Sequence, residues 1–493
     1  MAESPNRCDI AFSGERSAAG PATCAQRHMW DLIRRRMPDS AFYHQLHWAE
    51  PPPGSTVSDI RAVLGELVSR HESLRTVYGP GPDGGLRQRV RRSGSVPVEI
   101  LPVEGPADRN GPADPTGRAD VAGAVAAWEA GVRASGFDHG RDLPFRAAIV
   151  CRDGEPVRTA FLVSHLAADL MALRVVEAEF VRLTADRVAG RTPAPPPAYR
   201  QPLEQAEFER SERGRRLLDR ADRYWHDQLT ALPPTMFPAP ARTPVQPEPE
   251  PEAATAGPPY PSTALVSRAL ALALPVLAGR YRSGSSAVLL AAVSLLLARR
   301  GGLPRCGLRL LVANRTDPAS RGTVANLHLE VPVTVDVTGE TFGDVVRSAR
   351  VAALRAYANG LYDPGRAERA VREHERARGV PIDLSCCFND ARAVREDRPG
   401  PVPPSPAEIR AATAGTTVGE GDLHEAERFF LVVHDDLPGR VQLVLGADPR
   451  VLPPAAVRAF LKAVERLLVD HAGDEPPRTE RAGAAARSTP GRP

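Results

Sequence analysis

The chain has 493 residues, with 63 Lys and Arg against 60 Asp and Glu and a formal net charge of +3. This length is too great for one hydrophobic core and predicts roughly two to three domains. The near balance of charge argues against a broad nucleic-acid or membrane-surface interface. The only lysine is Lys462, in a C-terminal amphipathic run, which argues against a Walker-type phosphate loop and a pyridoxal or Schiff-base site.

Cysteine usage and the apolar runs narrow the class of protein further. The six cysteines are scattered and form no C-x-x-C pair, so no zinc framework is visible. Residues 1–20 lack the apolar segment of a signal peptide, and the longest apolar run, Ala287–Ala298, is too short to span a bilayer. We therefore expect a soluble, cytoplasmic protein with no bound metal.

The first half of the chain alternates helical and extended patterns after a polar segment, residues 1–20, that is predicted to be disordered. The predicted elements are an amphipathic helix around 29–33, a second helix over 56–70, a strand over 96–103, a helix over 121–134 and a strand–turn–strand hairpin over 143–164 that turns at Asp153-Gly154.

The second half begins with one long charged helix predicted over Leu203–Leu229 and a linker rich in proline and glutamate over Pro233–Pro261. The remaining predictions are a strand over 263–274, a helix over 285–300, strands over 306–312 and 331–337, a helix over 342–358, a strand over 382–388, a mobile loop over 393–413, strands over 429–433 and 441–446, and a last helix over 454–471.

This alternation favours an α/β fold of two lobes of similar size that share a cleft. The predicted domain organisation is a disordered N-terminus over 1–20, an N-terminal lobe over 21–198, an interlobe helix and linker over 199–262, a C-terminal lobe over 263–472 and a disordered tail over 473–493.

The segment that carries chemistry is Thr159–Asp169, at the end of the predicted hairpin. An apolar run leads directly to Ser164 and His165, Asp169 follows four residues later, and apolar residues then recur at helical spacing. A buried strand would thus present one imidazole at its end, and histidine is the usual residue for moving a proton near neutral pH. The alternative is a core histidine beside a helix-capping aspartate, and the residues alone favour that simpler interpretation.

Several segments match, in order, the motifs of one enzyme superfamily. They are Ala25-Gln26-Arg27 with Trp30, which is similar to A-Q-x-R-x-W with a one-residue difference in spacing, Arg70–Tyr78 for R-H-E-x-L-R-T-x-F, Tyr224-Trp225 with Leu229 for Y-W-x-x-x-L, and Asn314-Arg315 with Val324-Ala325 and Pro332 for the second-lobe motif. Together they resemble the condensation domain of nonribosomal peptide synthetases, over roughly Ala25 to Asp470. The resemblance implies two lobes like chloramphenicol acetyltransferase, with mixed sheets and helices, in a V-shaped pseudo-dimer around a central cleft.

The active-site motif of that family, H-H-x-x-x-D-G, reads Ser164–Leu170 in this chain. The second histidine and the aspartate are kept, while Ser164 replaces the first histidine and Leu170 replaces the glycine. The resemblance implies that His165 contacts the acceptor nucleophile, as a base or as a positioner, and that Asp169 pairs with Arg315 to shape the site. Ser164 keeps hydrogen-bonding groups that can orient its neighbours. We also expect Leu170, Arg75 and Asn314 to line the substrate channel.

The resemblance implies a condensation enzyme of natural-product biosynthesis, and because no carrier-protein or adenylation segment is recognised in the sequence, we expect it to be free-standing. It would join an acyl group, presented as a 4'-phosphopantetheine thioester on a peptidyl or acyl carrier protein, to an amine or hydroxyl acceptor. The carrier protein would bind transiently, and we expect a monomer with no resident cofactor, no nucleic-acid partner and no membrane partner. Two alternatives stay open: an acyl-CoA-dependent acyltransferase of the same fold, and an inactive scaffold that binds carrier proteins.

Overall fold

The computed structural model describes residues 7–35, 43–82, 84–103, 115–195, 198–237, 260–392, 403–423 and 427–473. The chain forms two compact units. The first comprises Met1–Pro259, Gly307–Thr334 and Ala352–Cys387, and the second comprises Tyr260–Cys306, Val335–Val351 and Phe388–Pro493. The first unit therefore includes two segments that lie beyond the lobe boundary predicted at residue 263.

The described strands are numbered along the chain. They are β1 (Arg7–Ser13), β2 (Ala18–Pro21), β3 (His44–Ala49), β4 (Thr76–Pro80), β5 (Leu86–Val90), β6 (Ser93–Val103), β7 (Phe145–Arg152), β8 (Glu155–Ser164), β9 (Ser262–Ser267), β10 (Arg305–Val312), β11 (Leu329–Asp336), β12 (Cys386–Asp390), β13 (Thr417–Glu420), β14 (Phe429–His434) and β15 (Val441–Ala447).

The described helices alternate with these strands, which confirms the α/β class. They are α1 (Cys24–Arg35), α2 (Val57–Arg70), α3 (Pro115–Ser135), α4 (Leu170–Val188), α5 (Pro202–Arg210), α6 (Glu212–Ala231), α7 (Arg268–Arg280), α8 (Ser285–Gly301), α9 (Phe342–Ala358), α10 (Pro364–Arg378), α11 (Pro406–Ala412) and α12 (Pro454–Gly473). Among the described residues no single helix is long and apolar enough to cross a membrane; α7 and α8 meet that test only as a pair, with a bend of 101° between them.

The first unit is built on a five-stranded sheet in the order β1-β6-β7-β8-β3, in which only β6 and β7 pair in parallel. Strand β8 is buried on both faces. Phe161 and Val163 join the core formed with α2 and α4, whereas Ala160 and Leu162 pack with α3. Because side chains alternate between the two faces of a strand, burial on both faces explains why β8 reads as a continuous apolar run.

The prediction that residues 1–20 are disordered is wrong for the described part, 7–20. Strand β1 pairs with β6, and β2 pairs with β5 in a three-stranded sheet with β4. Ile10 and Phe12, two positions apart, are both buried, while the residues between and beside them face outward. A strand with period two needs only these alternate apolar residues, so a polar composition did not exclude it.

Serine caps account for two errors in the predicted elements. The helix predicted over Leu203–Leu229 is two helices, α5 and α6, because Ser211 is extended and its side chain accepts a hydrogen bond from Gly214 N at 3.1 Å. The strand predicted over 263–274 ends at Ser267, whose side chain caps α7. In each case a serine that accepts a hydrogen bond from the backbone N–H three residues later starts a new helix.

The loop and linker predictions fall partly outside the described residues. Of the mobile loop predicted over 393–413, residues 393–402 lie outside them, and the remainder contains helix α11, capped by Ser405. Of the linker predicted over 233–261, residues 238–259 lie outside them. The strand predicted over 382–388 begins later, as β12, and α10 has no counterpart among the predicted elements.

The second unit contains the strands β14, β15, β9 and β13, which pair antiparallel in that order. Helices α7, α8, α11 and α12 pack against one another in the same unit. Most of α8 is buried, which explains why its sequence is apolar on nearly every side. The helices predicted over 285–300 and 454–471 and the strands predicted over 429–433 and 441–446 are confirmed.

Candidate active site

The end of β8 fixes the backbone of His165. The His165 N–H donates a hydrogen bond to Tyr43 O at 2.7 Å, and Ala167 N donates to Ser164 O at 2.8 Å, which turns the chain toward α4. The His165 Nδ1 lies 2.9 Å from Ala168 O. Because a carbonyl oxygen only accepts, Nδ1 carries the proton and Nε2 carries the lone pair.

The imidazole of His165 is half-buried and stacks on that of His328, with ring centroids 4.7 Å apart and an angle of 22° between the planes. Burial lowers the pKa of His165 to about 3, and the charge of a protonated His328 acts in the same direction, against a smaller opposing effect of Asp169. The ring is therefore neutral near neutral pH. It can accept a hydrogen bond through Nε2, but it holds a proton weakly.

Asp169 forms the N-cap of α4 and accepts four hydrogen bonds. Its Oδ1 accepts from Ala172 N at 2.9 Å and from Arg315 Nη2 at 2.8 Å, and its Oδ2 accepts from Arg315 Nη1 at 2.8 Å and from Leu327 N at 2.9 Å. Burial alone would raise the pKa of this carboxyl, but the Arg315 charge and these hydrogen bonds more than offset it, and the pKa lies below its ordinary value. The ion pair is thus charged and joins the β10–β11 loop to the start of α4.

Arg315 also organises the β10–β11 loop around itself. Its guanidinium donates to three backbone carbonyls of that loop, those of Ala313 at 3.0 Å, Thr323 at 3.2 Å and Ala325 at 3.1 Å. A planar fork with several donors is suited to this task, and lysine could not reproduce it.

Asn314 braces the same loop. It has a left-handed backbone with φ of 53°, which asparagine tolerates better than most residues. Its Nδ2 donates to Leu327 O at 2.9 Å and to Gly360 O at 3.2 Å. These contacts are structural, and the predicted channel role of Asn314 stays a prediction.

Ser164 is fully buried and bonded to a histidine that the sequence analysis did not single out. Its Oγ lies 2.8 Å from Nε2 of His139, in the segment after α3. Ser164 has the same parity in β8 as Leu162, so its side chain points to the face on which α3 packs. Burial lowers the pKa of His139 to about 4, so this hydrogen bond is between neutral groups near neutral pH.

Restoring the family motif by Ser164→His is expected to destabilise the protein by about 1–3 kcal/mol, because the added ring overfills a site already closed by His139. Ser164→Ala is expected to cost about 1–3 kcal/mol through the unpaired nitrogen that it leaves on His139. Urea unfolding measures both effects. A Ser164→His protein as stable as wild type and more active would contradict this assignment.

The two remaining channel candidates differ. Arg75 is only 2% exposed, and its guanidinium donates to the backbone carbonyls of Arg16, Arg91 and Ser69 at 3.1, 2.6 and 3.3 Å. The predicted channel role of Arg75 has no support in these contacts, since a side chain enclosed by carbonyls of the fold is structural. Leu170 is half-buried at the first position of α4, and its channel role stays a prediction.

Two further histidines near His165 were missed. His328 lies between Val324 and Pro332, in a segment that was singled out for other residues, and a histidine in that apolar run was the available signal. His28, on α1, has a buried Nε2 with no hydrogen-bond partner among the described residues. Burial lowers the pKa of His28 to about 3, and charge on nearby arginines and on His165 adds to the effect.

Two further pairs of histidines lie outside the contacts of His165. His44 and His47 are three positions apart in β3 and so face opposite sides of the sheet, and His47 Nε2 contacts Glu177 at 2.7 Å. His226 Nδ1 and His374 Nε2 lie 3.1 Å apart and share a hydrogen bond. Within the described ranges, no group of three or more His, Cys, Asp or Glu side chains is arranged to hold a metal ion.

Buried neutral histidines make stability depend on pH. His44 is 3% exposed, packs edge-to-face on Phe137 at 4.6 Å, and has no hydrogen-bond partner for either ring nitrogen among the described residues. Burial lowers its pKa to about 3, with a further contribution from Arg133. Between that value and the ordinary pKa near 6.5, the unfolded chain binds more protons, so stability falls as the pH is lowered through this window.

As the pH is lowered through this window, the free energy of unfolding is expected to fall by up to about 1.4 kcal/mol per pH unit for each such histidine. Urea unfolding between about pH 6.5 and pH 4.5 checks this, with His44→Phe as the matched variant, because phenylalanine keeps the ring contact and does not titrate. We expect a shallower slope in the variant. Equal slopes in the two proteins would show that His44 is not held neutral by the fold.

The chain matches the sequence model of the condensation domain over residues 18–389. It is 26% identical over 359 residues to an isonitrile lipopeptide synthase of Mycobacterium tuberculosis, and this alignment covers 70% of this chain. It is 27% identical over 350 residues to a probable nonribosomal peptide synthetase of Salinispora arenicola, which covers 69% of this chain. The chain spans 13% and 4% of the length of these two relatives.

Solved structures share its fold. The SgcC5 protein of Streptomyces globisporus has a TM-score of 0.65 and 19% identity, covering 92% of this chain and 98% of that one. A structure described for condensation domain-mediated chain release from the enacyloxin polyketide synthase has a TM-score of 0.67 and 18% identity, and the match covers 94% of this chain and 84% of that one. The starter condensation domain of rhizomide synthetase was solved as a mutant with C8-CoA and Leu-SNAC. It has a TM-score of 0.64 and 17% identity, and the match covers 92% of this chain and 95% of that one. The chain therefore has the condensation-domain fold, and its match over residues 18–389 shows that it belongs to the condensation-domain family.

Proposed function

We propose that this chain catalyses acyl transfer from a 4'-phosphopantetheine thioester, held on a carrier protein, to an amine or hydroxyl acceptor, in nonribosomal peptide or related natural-product biosynthesis. The observation that carries the proposal is the state of His165, whose Nδ1 is committed to Ala168 O while Nε2 keeps its lone pair. Membership of the condensation-domain family supports the same reaction class.

In the proposed reaction the acceptor donates its N–H or O–H to Nε2 of His165 and attacks the thioester carbonyl carbon. The new bond to nitrogen or oxygen forms, the carbon–sulfur bond breaks, and the acceptor proton ends on the released thiol. Because the pKa of His165 is lowered to about 3, the ring steers and passes on this proton rather than keeping it. Holding the two substrates in line supplies the rest of the rate.

Asp169 and Arg315 act through geometry in this proposal. Their ion pair links the first turn of α4 to the loop that carries His328, and both side chains are only 5–6% exposed. They therefore hold the two elements that flank His165 and need not touch the substrates. We propose no step that uses a resident metal or redox cofactor.

Acyl-CoA is the second candidate donor, because the related starter condensation domain of rhizomide synthetase was solved with C8-CoA. The test supplies purified protein with straight-chain acyl groups, either on a phosphopantetheinylated carrier protein or as acyl-CoA, with free amino acids as acceptors. Thiol release and product mass are followed, with His165→Ala as the control.

Faster transfer from the carrier protein than from acyl-CoA is the expected result. Transfer from acyl-CoA alone would replace the carrier-dependent enzyme by a CoA-dependent one. Binding of the carrier protein without transfer from either donor would favour the scaffold alternative, for which the Ser164 and Leu170 departures from the family motif would be the first signs.

A further inference from the structure

His328 is a second imidazole in the site, and its orientation is fixed. Its Nδ1 lies 2.9 Å from Asn326 Oδ1, and its backbone N donates to the same oxygen at 3.2 Å. The backbone contact identifies the Asn326 atom as the oxygen, so His328 Nδ1 is the donor and Nε2 carries the lone pair. Both stacked rings, His165 and His328, therefore present the same tautomer.

The amide oxygen of Asn326 holds this ring through both contacts. Asn326 is fully buried, and its Nδ2 has no hydrogen-bond partner among the described residues. A buried amide with an unpaired donor destabilises a protein, so an apolar residue would serve better if packing were the only requirement. The stability lost through the unpaired Asn326 amide therefore fits a residue that orients His328 better than one that only packs the core.

The two rings also influence each other's charge. Two imidazoles that stack at 4.7 Å disfavour a proton on both rings at once. The other groups that act on the pair are Asp169, which favours a positive charge, and Arg315 and His28, which oppose it. Arg309 and Arg35 act on the same cluster through His28. Burial lowers the pKa of His328 to about 4.

We propose that His328 is a positioning residue for His165: its stacked ring fixes the plane of the His165 imidazole. The inference rests on the acyl transfer proposed above and adds to it a residue outside the S-H-x-x-x-D-L motif. An acceptor that approaches Nε2 of His165 then meets a neutral ring held in one orientation on two sides, by Ala168 O and by His328.

Two variants separate positioning from simple packing. His328→Ala removes the stacked ring, and His328→Phe keeps a flat ring but removes its nitrogens and its titration. With carrier-bound acyl thioester as the probe, we expect His328→Ala to lower kcat about tenfold to a hundredfold with little change in KM. His328→Phe is expected to recover most of kcat.

Nitrogen-15 NMR of the imidazoles, which needs no substrate, follows His165 directly and is assigned with His165→Ala. We expect a single Nδ1–H tautomer in wild type and in His328→Phe, and a mixture of tautomers with a raised pKa for His165 in His328→Ala. An unchanged His165 signal and unchanged kcat in His328→Ala would overturn the positioning role. If wild type transfers no acyl group at all, the proposed function fails, while the NMR result still decides whether His328 orients His165.

Discussion

The variant His165→Ala is expected to lose product formation by a factor of about a hundred to ten thousand, the range typical of a group that moves or steers a proton. The substitution removes the Nε2 lone pair on which the acceptor would align. Its effect on stability is expected to be small, because the ring is half-buried and, among the described residues, its side chain has one hydrogen bond, to Ala168 O, beside the stack on His328. Mass spectrometry of the product measures the first effect, and urea unfolding measures the second.

His434→Ala is the matched control for this prediction. His434 ends β14 in the second unit, is 28% exposed and lies 3.6 Å from Asp436, so its removal tests the loss of a histidine that makes none of the contacts described for the site. We expect wild-type rates for His434→Ala. Wild-type rates for a folded His165→Ala protein would show that this imidazole carries no chemistry.

The variant Arg315→Ala is expected to destabilise the protein by about 3–5 kcal/mol, because it leaves the buried Asp169 carboxylate without its charge partner. It also removes the donors to three loop carbonyls. Activity should fall with stability, since the loop that carries His328 is no longer held against α4. Urea unfolding near neutral pH measures the change in free energy.

Two further variants test the cause of that loss. Adding Asp169→Asn to Arg315→Ala should recover part of the stability, because a neutral amide keeps the oxygen that caps α4 and removes the unpaired charge. Arg372→Ala breaks an exposed pair with Glu368 at 2.9 Å and is expected to cost less than about 1 kcal/mol. If Arg315→Ala costs no more than Arg372→Ala, the buried pair is not what holds the site.

Local signals in the sequence were enough for much of the fold around the site. The β7–β8 hairpin was predicted from two apolar runs around Asp153-Gly154, and both turn residues have a positive φ, of 53° and 82°. The start of α4 at Asp169 and the bounds of α9 followed from helical spacing. These features depend on neighbours in the chain, which a sequence displays directly.

Contacts between distant residues were not predictable in this way. Ser164 and His139 are 25 positions apart, and nothing in their spacing indicates a hydrogen bond. Asp169 and Arg315 are 146 positions apart, and their pairing was expected only from the resemblance to a family. The stack of His165 on His328 was not anticipated, because it depends on a loop that approaches the end of β8 only in the folded chain.

The most direct test of the central claim, that His165 performs acyl-transfer chemistry, requires no known substrate. The gene is deleted in its native host and restored as wild type or as His165→Ala, and metabolites are compared by mass spectrometry with the amount of folded protein checked in both strains. We expect that wild type restores a product that the variant does not, with a mass that identifies the bond formed. Equal restoration by both genes would contradict it and indicate a protein that binds carrier proteins without catalysis.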